Sequence, residues 1–208
     1  MKEPTPTVFV VDDDNAIRNS LRLLLKSVDL ASRTMGSAAE FLETCCPSQP
    51  GCLVLDVRMP GMSGLELQQE LNRRGATIPV IFITGHGDIP MAVEAMQHGA
   101  FDFLQKPFRD QELIDRIQRA LAKDQRTRAA LTERGRIRER LESLTPRERE
   151  VLALMIQGKP NKIMAHELSV SQRTVEIHRA RVMEKSGADS LAQLVRMVMD
   201  QELEKVSG

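Results

Sequence analysis

The stretch TVFVVDDD (residues 7–14) sets four consecutive apolar residues, Val8 to Val11, directly against three aspartates, Asp12, Asp13 and Asp14. An apolar run without alternation fits a strand buried on both faces, as in a parallel sheet covered by helices. The same design recurs at residues 52–55, which lead into Asp56, and at 79–83, which lead into Thr84. Weaker strand signals stand at 31–35 and at 101–104, the latter followed by Lys106-Pro107. Between them, residues 16–27 put Ile17, Leu21, Leu24 and Leu25 on one helical face, and 65–73, 91–97 and 111–122 behave similarly. Alternating strand and helix signals predict a doubly wound α/β domain with a five-stranded parallel sheet over residues 5–122.

Length allows a second, smaller domain within the 208 residues. Residues 1–120 hold 12 Lys/Arg against 16 Asp/Glu, whereas 121–208 hold 17 against 13, so the zero net charge divides into an acidic and a basic part. An acidic part suits a cation and a basic part suits phosphates. Eleven of the 21 side chains at 123–143 are charged, and Leu131, Ile137 and Leu141 are too sparse for a core face; the expectation is a solvated helical linker with Gly135 as its weak point. From residue 144 to 208 the pattern is helical throughout. Thr145-Pro146-Arg147-Glu148 reads as an N-cap, Pro at the first helical position and a capping-box Glu. Cys45, Cys46 and Cys52 have neither CxxC spacing nor a histidine pair nearby, so free thiols in a reducing cytoplasm are expected rather than a disulfide framework or a zinc site. The apolar run at 8–11 is far short of a membrane span and has no signal-peptide pattern, so a soluble protein is expected.

In a parallel sheet, ligands bind outside the C-terminal strand ends. Three carboxylates from among Asp12, Asp13, Asp14 and Asp56, with the Thr84 hydroxyl and the Lys106 ammonium, are therefore predicted to meet at one edge. Close carboxylates repel unless a cation neutralises them, and oxygen ligands suit Mg²⁺, which keeps several waters and takes one or two carboxylates plus a phosphate oxygen. A carboxylate beside such a metal can attack a phosphoryl group, with Lys106 and Thr84 holding the added oxygens. Each feature also has a plainer reading: an Asp run as a helix cap, Lys-Pro as a loop, Thr-Gly as a turn. His86 and His98 read as loop residues, and Met59, Met62, Met91 and Met96 as packing.

The strings VVDDD (10–14), LDVRMPGMSG (55–64), ITGHGDIPMAVEAM (83–96) and GAFDFLQKPF (99–108) resemble the receiver domain of two-component response regulators, the FixJ subfamily most of all. The resemblance implies that Asp56 is the phosphoacceptor for a sensor histidine kinase. It implies that Mg²⁺, with Mn²⁺ as a substitute, is held by Asp12, Asp13, Asp56 and the main-chain carbonyl of Arg58. Thr84 matches the switch hydroxyl, Lys106 the family lysine and Phe103 the aromatic that reorients; Asp14 departs from the frequent Asp-Asp-Glu at a position that is not a ligand.

Residues 163–175 read as helix, tight turn, helix, whose second helix would enter a DNA major groove. Val175 and Val182 should face inward and Arg173, Glu176, Ile177, Ala180 and Arg181 outward, with Lys162, Arg173, Arg179 and Arg181 placed for phosphates. The segment LTPREREVLALMIQGKPNKIMAHELSVSQRTVEIHRARVMEKSGADSLAQLV (144–195) resembles the LuxR-type output domain. That likeness implies base-facing Glu176, Ile177 and Ala180, and backbone-contacting Lys162, Thr174, His178 and Arg179. The two likenesses together imply double-stranded promoter DNA with a near-palindromic site and RNA polymerase as a partner, and a receiver surface that on phosphorylation forms a homodimer or releases the output domain, without a membrane and without enzymatic turnover beyond the phosphoacceptor's own. Two other classes remain: a Mg²⁺-dependent phosphohydrolase, and a DNA-binding regulator whose receiver works unphosphorylated as an interaction module.

Overall fold

A computed structural model describes residues 5–45, 49–85 and 89–207, with the backbone alone at 89 and 202–207; Cys46 and His86 lie outside the described residues. The five strands are β1 (Thr7–Val11), β2 (Ser32–Met35), β3 (Gly51–Asp56), β4 (Val80–Thr84) and β5 (Asp102–Gln105). All pair in parallel, in the order β2-β1-β3-β4-β5. The helices are α1 (Asn15–Ser27), α2 (Ala38–Thr44), α3 (Gly64–Arg73), α4 (Ile89–Gln97) and α5 (Asp110–Glu142), then α6 (Pro146–Ile156), α7 (Asn161–Glu167), α8 (Gln172–Ser186) and α9 (Leu191–Ser207).

Strand alternation divides the apolar side chains between two layers. Phe9, Val11, Leu53, Leu55 and Phe82 pack with residues of α2, α3 and α4, while Val8, Val10, Val54, Ile81 and Ile83 pack with α1 and α5. Full burial of each such side chain is worth roughly 1.5–3 kcal/mol. Helix α2, for which the alternating pattern gives no range of its own, is only seven residues long, and Ser37 caps it by accepting from the Glu40 N–H at 3.2 Å.

The expected linker is one continuous helix with the end of the receiver: α5 runs 33 residues and passes through Gly135 unbroken. The chain divides into units 1–129 and 130–208, and both ends of the charged stretch belong to a unit. Asp124 is buried, accepting from the Gly51 N–H at 2.9 Å and from Arg128 Nε at 2.7 Å. Burial, with Asp124 adding to it, pushes the neighbouring Cys52 thiol up to about 12, so this free cysteine is an inert core residue. Ile137 and Leu141 pack on the core of the second unit, and only Leu131 is exposed as expected. Met59 is buried and Met62 and Met91 pack on the core, but Met96 is 48% exposed and fills nothing.

In the second unit, Leu144, Val151, Met155, Met164, Val175, Val182 and Leu194 form the core. The capping box at Thr145 and Glu148 is present, with Pro146 at the helix start. Glu148 is buried and also takes a 2.7 Å ion pair from Lys185 of α8, joining the first turn of α6 to the end of α8. Lys185, then the Thr145 N–H, hold its carboxyl down to about 2, against a smaller opposing effect of burial. A carboxyl held below its unfolded value stabilises the fold above that value and loses the contribution as pH falls through the folded one. Glu148→Gln should therefore lower the unfolding temperature at neutral pH, and the gap to wild type should close between about pH 4.5 and 2. Calorimetry across that range checks it, and a gap that does not change with pH contradicts it.

Candidate functional site

The C-terminal ends of β1, β3, β4 and β5 meet at one edge because every crossover returns the chain to the same direction. Asp56 and Thr84 are the last residues of β3 and β4, and Asp12 follows β1. All three are buried, Asp12 to 1% exposure and Asp56 to 7%. Lys106 reaches across from the end of β5, its Nζ donating to Asp56 Oδ1 at 2.7 Å and to Asp12 Oδ2 at 2.9 Å. The Lys106 N–H donates to the Thr84 carbonyl at 2.6 Å, and a cis Lys106–Pro107 bond follows. Asp56 Oδ2 accepts from the Arg58 N–H at 2.7 Å. Gly64 lies so close behind this turn that a Cβ there would sit 2.2 Å from the Asp56 carbonyl oxygen, which leaves room for glycine alone.

Burial is the largest influence on Asp56 and raises its carboxyl above the usual range, against the lowering effect of Lys106 and of the Arg58 N–H. Burial works to lower the Lys106 ammonium, yet the hydrogen bonds and charges of Asp56 and Asp12 outweigh it and the net direction is up. With both carboxylates ionised, one ammonium against two leaves an excess negative charge at a buried edge.

The three aspartates after β1 separate into three roles. Asp12 lies in the pocket, Asp14 is the N-cap of α1 with its Oδ1 accepting from the Ala16 N–H at 2.7 Å, and Asp13 faces solvent. The helix-cap reading of the run thus holds for Asp14. Among the described residues, no three His, Cys, Asp or Glu side chains gather closely enough to enclose a metal. The expected carboxylate trio of Asp12, Asp13 and Asp56 is accordingly not drawn together: Lys106 spans two of them and Asp13 is exposed. The donors still suit Mg²⁺, which needs only one or two carboxylates and otherwise keeps water. The Arg58 guanidinium lies 4.0 Å from Met91 Sδ of α4. Phe103 is half-buried and packs on the same core layer as Met91. His98 is exposed, and its carbonyl accepts from Gln68 and Asn72 of α3. Arg18, Gly64 and Asp124 were not singled out in the sequence; the abrupt Ser63-Gly64 at a helix start is the one signal that pointed to any of them.

In the second unit, α7 and α8 are joined by a turn in which Ser169 takes a left-handed φ of 54°. Arg147 of α6 donates to the Leu168 carbonyl in that turn, and Ser171 caps α8 by accepting from the Thr174 N–H at 3.0 Å. Val175 and Val182 face inward, as expected. Lys162, Arg173, Glu176, Ile177, Ala180 and Arg181 are exposed, Ile177 to 44%, while Thr174, His178 and Arg179 are intermediate. The exposed face of α8 therefore carries Arg173 and Arg181 around Glu176, Ile177 and Ala180. Arg173 and Glu176 pair across it at 3.4 Å.

Residues 8–118 match the response regulator receiver domain, and 142–198 match the luxR family of bacterial regulatory proteins. Nodulation protein W of Bradyrhizobium diazoefficiens is 50% identical over 190 residues, 91% of this chain and 84% of that protein. Transcriptional regulatory protein FixJ of Azorhizobium caulinodans is 49% identical over 199 residues, 96% and 94%. Among solved structures, the response regulator StyR matches with a TM-score of 0.86 at 48% identity, over 94% of this chain and 99% of that one. Full-length FixJ from B. japonicum matches with 0.59 at 41% identity, over 94% and 97%. The acidic sheet edge and the basic helix-turn-helix thus belong to one known combination, and the chain is a member of the two-component response regulators, transcription regulators that join a receiver to a LuxR-type DNA-binding domain.

Proposed function

We propose that Asp56 takes a phosphoryl group from a sensor histidine kinase, and that the resulting acyl phosphate shifts the receiver to a dimerising state that controls DNA binding. The Lys106 bridge carries this reading: it orients one oxygen of a buried carboxylate while leaving negative charge uncompensated. Mg²⁺, or Mn²⁺ in its place, would be held by Asp12, Asp13, Asp56 and the Arg58 carbonyl, and would neutralise charge on the phosphoryl group. An Asp56 carboxylate oxygen attacks phosphorus as the phosphohistidine N–P bond breaks, and the imidazole leaves with the electron pair and takes a proton. Lys106 and the Thr84 hydroxyl hold the phosphoryl oxygens. Phosphorylation adds up to about −2 charge, and drawing these two side chains inward repacks Phe103 beside α4. The chain acts in the cytoplasm as a phosphoacceptor rather than as a turnover enzyme.

In the dimer, two α8 helices meet a near-palindromic promoter one helical turn, about 34 Å, apart. Glu176, Ile177 and Ala180 face bases; Lys162, Arg173, Thr174, His178, Arg179 and Arg181 face the backbone, and bound dimers recruit RNA polymerase.

Intact mass after incubation with a small phosphodonor should show one Mg²⁺-dependent adduct in wild type and none in Asp56→Asn, and only the phosphorylated wild type should sediment as a dimer. Equal sedimentation of both contradicts the dimer, and promoter activation retained by Asp56→Asn would favour a receiver that works unphosphorylated. Alanine at Lys162, Arg173 or Arg181 should each weaken all DNA sequences alike and reduce the salt slope by about 1, whereas Ile177→Ala should cost about 1–3 kcal/mol on the preferred site alone. Titration of specific and random duplexes at several salt concentrations separates the two patterns, and a uniform loss in all four variants removes Ile177 from the base contacts.

A further inference from the structure

The outward face of α8 carries a carboxylate where phosphate binding alone would favour cations. Glu176 stands between Arg173 and Arg181, and its Oε2 pairs with Arg173 Nη1 at 3.4 Å, with side-chain exposures of 49% and 81%. An ion pair so open to water holds little energy, so each member can exchange its partner. A guanidinium entering a groove walled by phosphates meets a partner there that binds it in the same forked geometry. The carboxylate left behind is repelled by those phosphates and has lost part of its water. It is tolerated there only where a base edge donates a hydrogen to it.

Ile177 and Ala180, the other two side chains assigned to the bases, have no hydrogen-bonding group. Hydrogen bonding from this trio therefore passes through one side chain, and that side chain only accepts. In the major groove the only donors are cytosine N4 and adenine N6; guanine presents two acceptors and thymine one. Adenine N6 has an acceptor on either side, its own N7 and thymine O4, and both oppose a carboxylate. Cytosine N4 has an acceptor on one side alone. We infer that Glu176 makes the chain require a cytosine at one fixed position of each half-site, and that it does so by exclusion. The wrong base leaves a carboxylate unpaired among phosphates, whereas the right one offsets that loss. The inference rests on the base-facing reading of α8 proposed above. Arg173 and Arg181 favour every duplex, and Glu176 gives up part of that affinity for selectivity. Glu184, also exposed on α8, lies about 12 Å further along the axis, beyond the N-terminal half that reaches base edges.

The test is selection of binding sites from a library of randomised duplexes by the full chain, with and without a small phosphodonor. Selected and random duplexes are then titrated at several salt concentrations. In wild type one position should require cytosine, and replacing it should weaken binding roughly tenfold. Glu176→Ala should accept all four bases at that position and keep its preferences elsewhere. It should also bind random duplex about threefold more tightly at low salt, a gain that fades as salt is raised. Glu176→Gln should move the preference from cytosine to adenine, because an amide matches the N6 donor and the N7 acceptor together. General damage to the helix would not exchange one base for another. Glu184→Ala should keep the cytosine. A cytosine preference that survives Glu176→Ala or Glu176→Gln, or a loss in Glu176→Ala that is equal on all duplexes, overturns the inference and leaves DNA binding standing. Absence of any base preference in wild type overturns the base-facing reading of α8 and this inference with it.

Discussion

A single ammonium shared by two buried carboxylates governs the first unit. Lys106 and Asp12 are 94 positions apart in sequence, and only a parallel sheet brings their strand ends to the same edge. Apolar strands buried on both faces supply that sheet, and they also exclude water from beneath Asp56. Burial and the ion pair then work against each other: burial disfavours the Asp56 charge, and Lys106 restores it at one oxygen. A carboxylate balanced in this way is both oriented and short of positive charge, which suits an incoming cation and phosphoryl group better than a fully neutralised pair.

The second unit depends on a different constraint, the placement of α8. Adjacent residues of α6 hold it from two sides. Arg147 grips the turn that leads into α8, and Glu148 pairs with Lys185 near its end. The inward valines set its rotation, so Arg173, Glu176, Ile177, Ala180 and Arg181 are presented together by packing, and Arg173 and Glu176 also pair with each other. The capping box that begins α6 therefore does more than start a helix, because its glutamate is the anchor for the helix that faces outward.

Much of this was legible in the sequence, for reasons that differ by element. The strands at β1, β3 and β4 are short unbroken apolar runs that end in a polar group, a pattern with few competing explanations. The face of α8 was legible because the two valines repeat at seven residues. Helix α2 was less so than α7 of equal length, most of which stands inside the helix-turn-helix pattern of 163–175. The continuity of α5 with the linker was not legible because charged residues dominate 123–143, although Asp124 is buried there by a partner, Arg128, one turn away. Composition identifies charged stretches but not the ion pairs that let one member enter the core. The aspartate run shows the same limit: adjacent identical residues separate into pocket, solvent and cap only once the turn after β1 is formed. Residue type could not distinguish them.

The claim that Asp56 is a buried carboxylate kept available by Lys106 is tested most directly by following the Asp56 carboxyl carbon by NMR as pH is varied, in wild type and in Lys106→Met. The account predicts a midpoint above the ordinary aspartate range in wild type and a further rise in Lys106→Met, because the lowering influence is gone while burial remains. An ordinary midpoint in wild type, or one that Lys106→Met leaves in place, would contradict it.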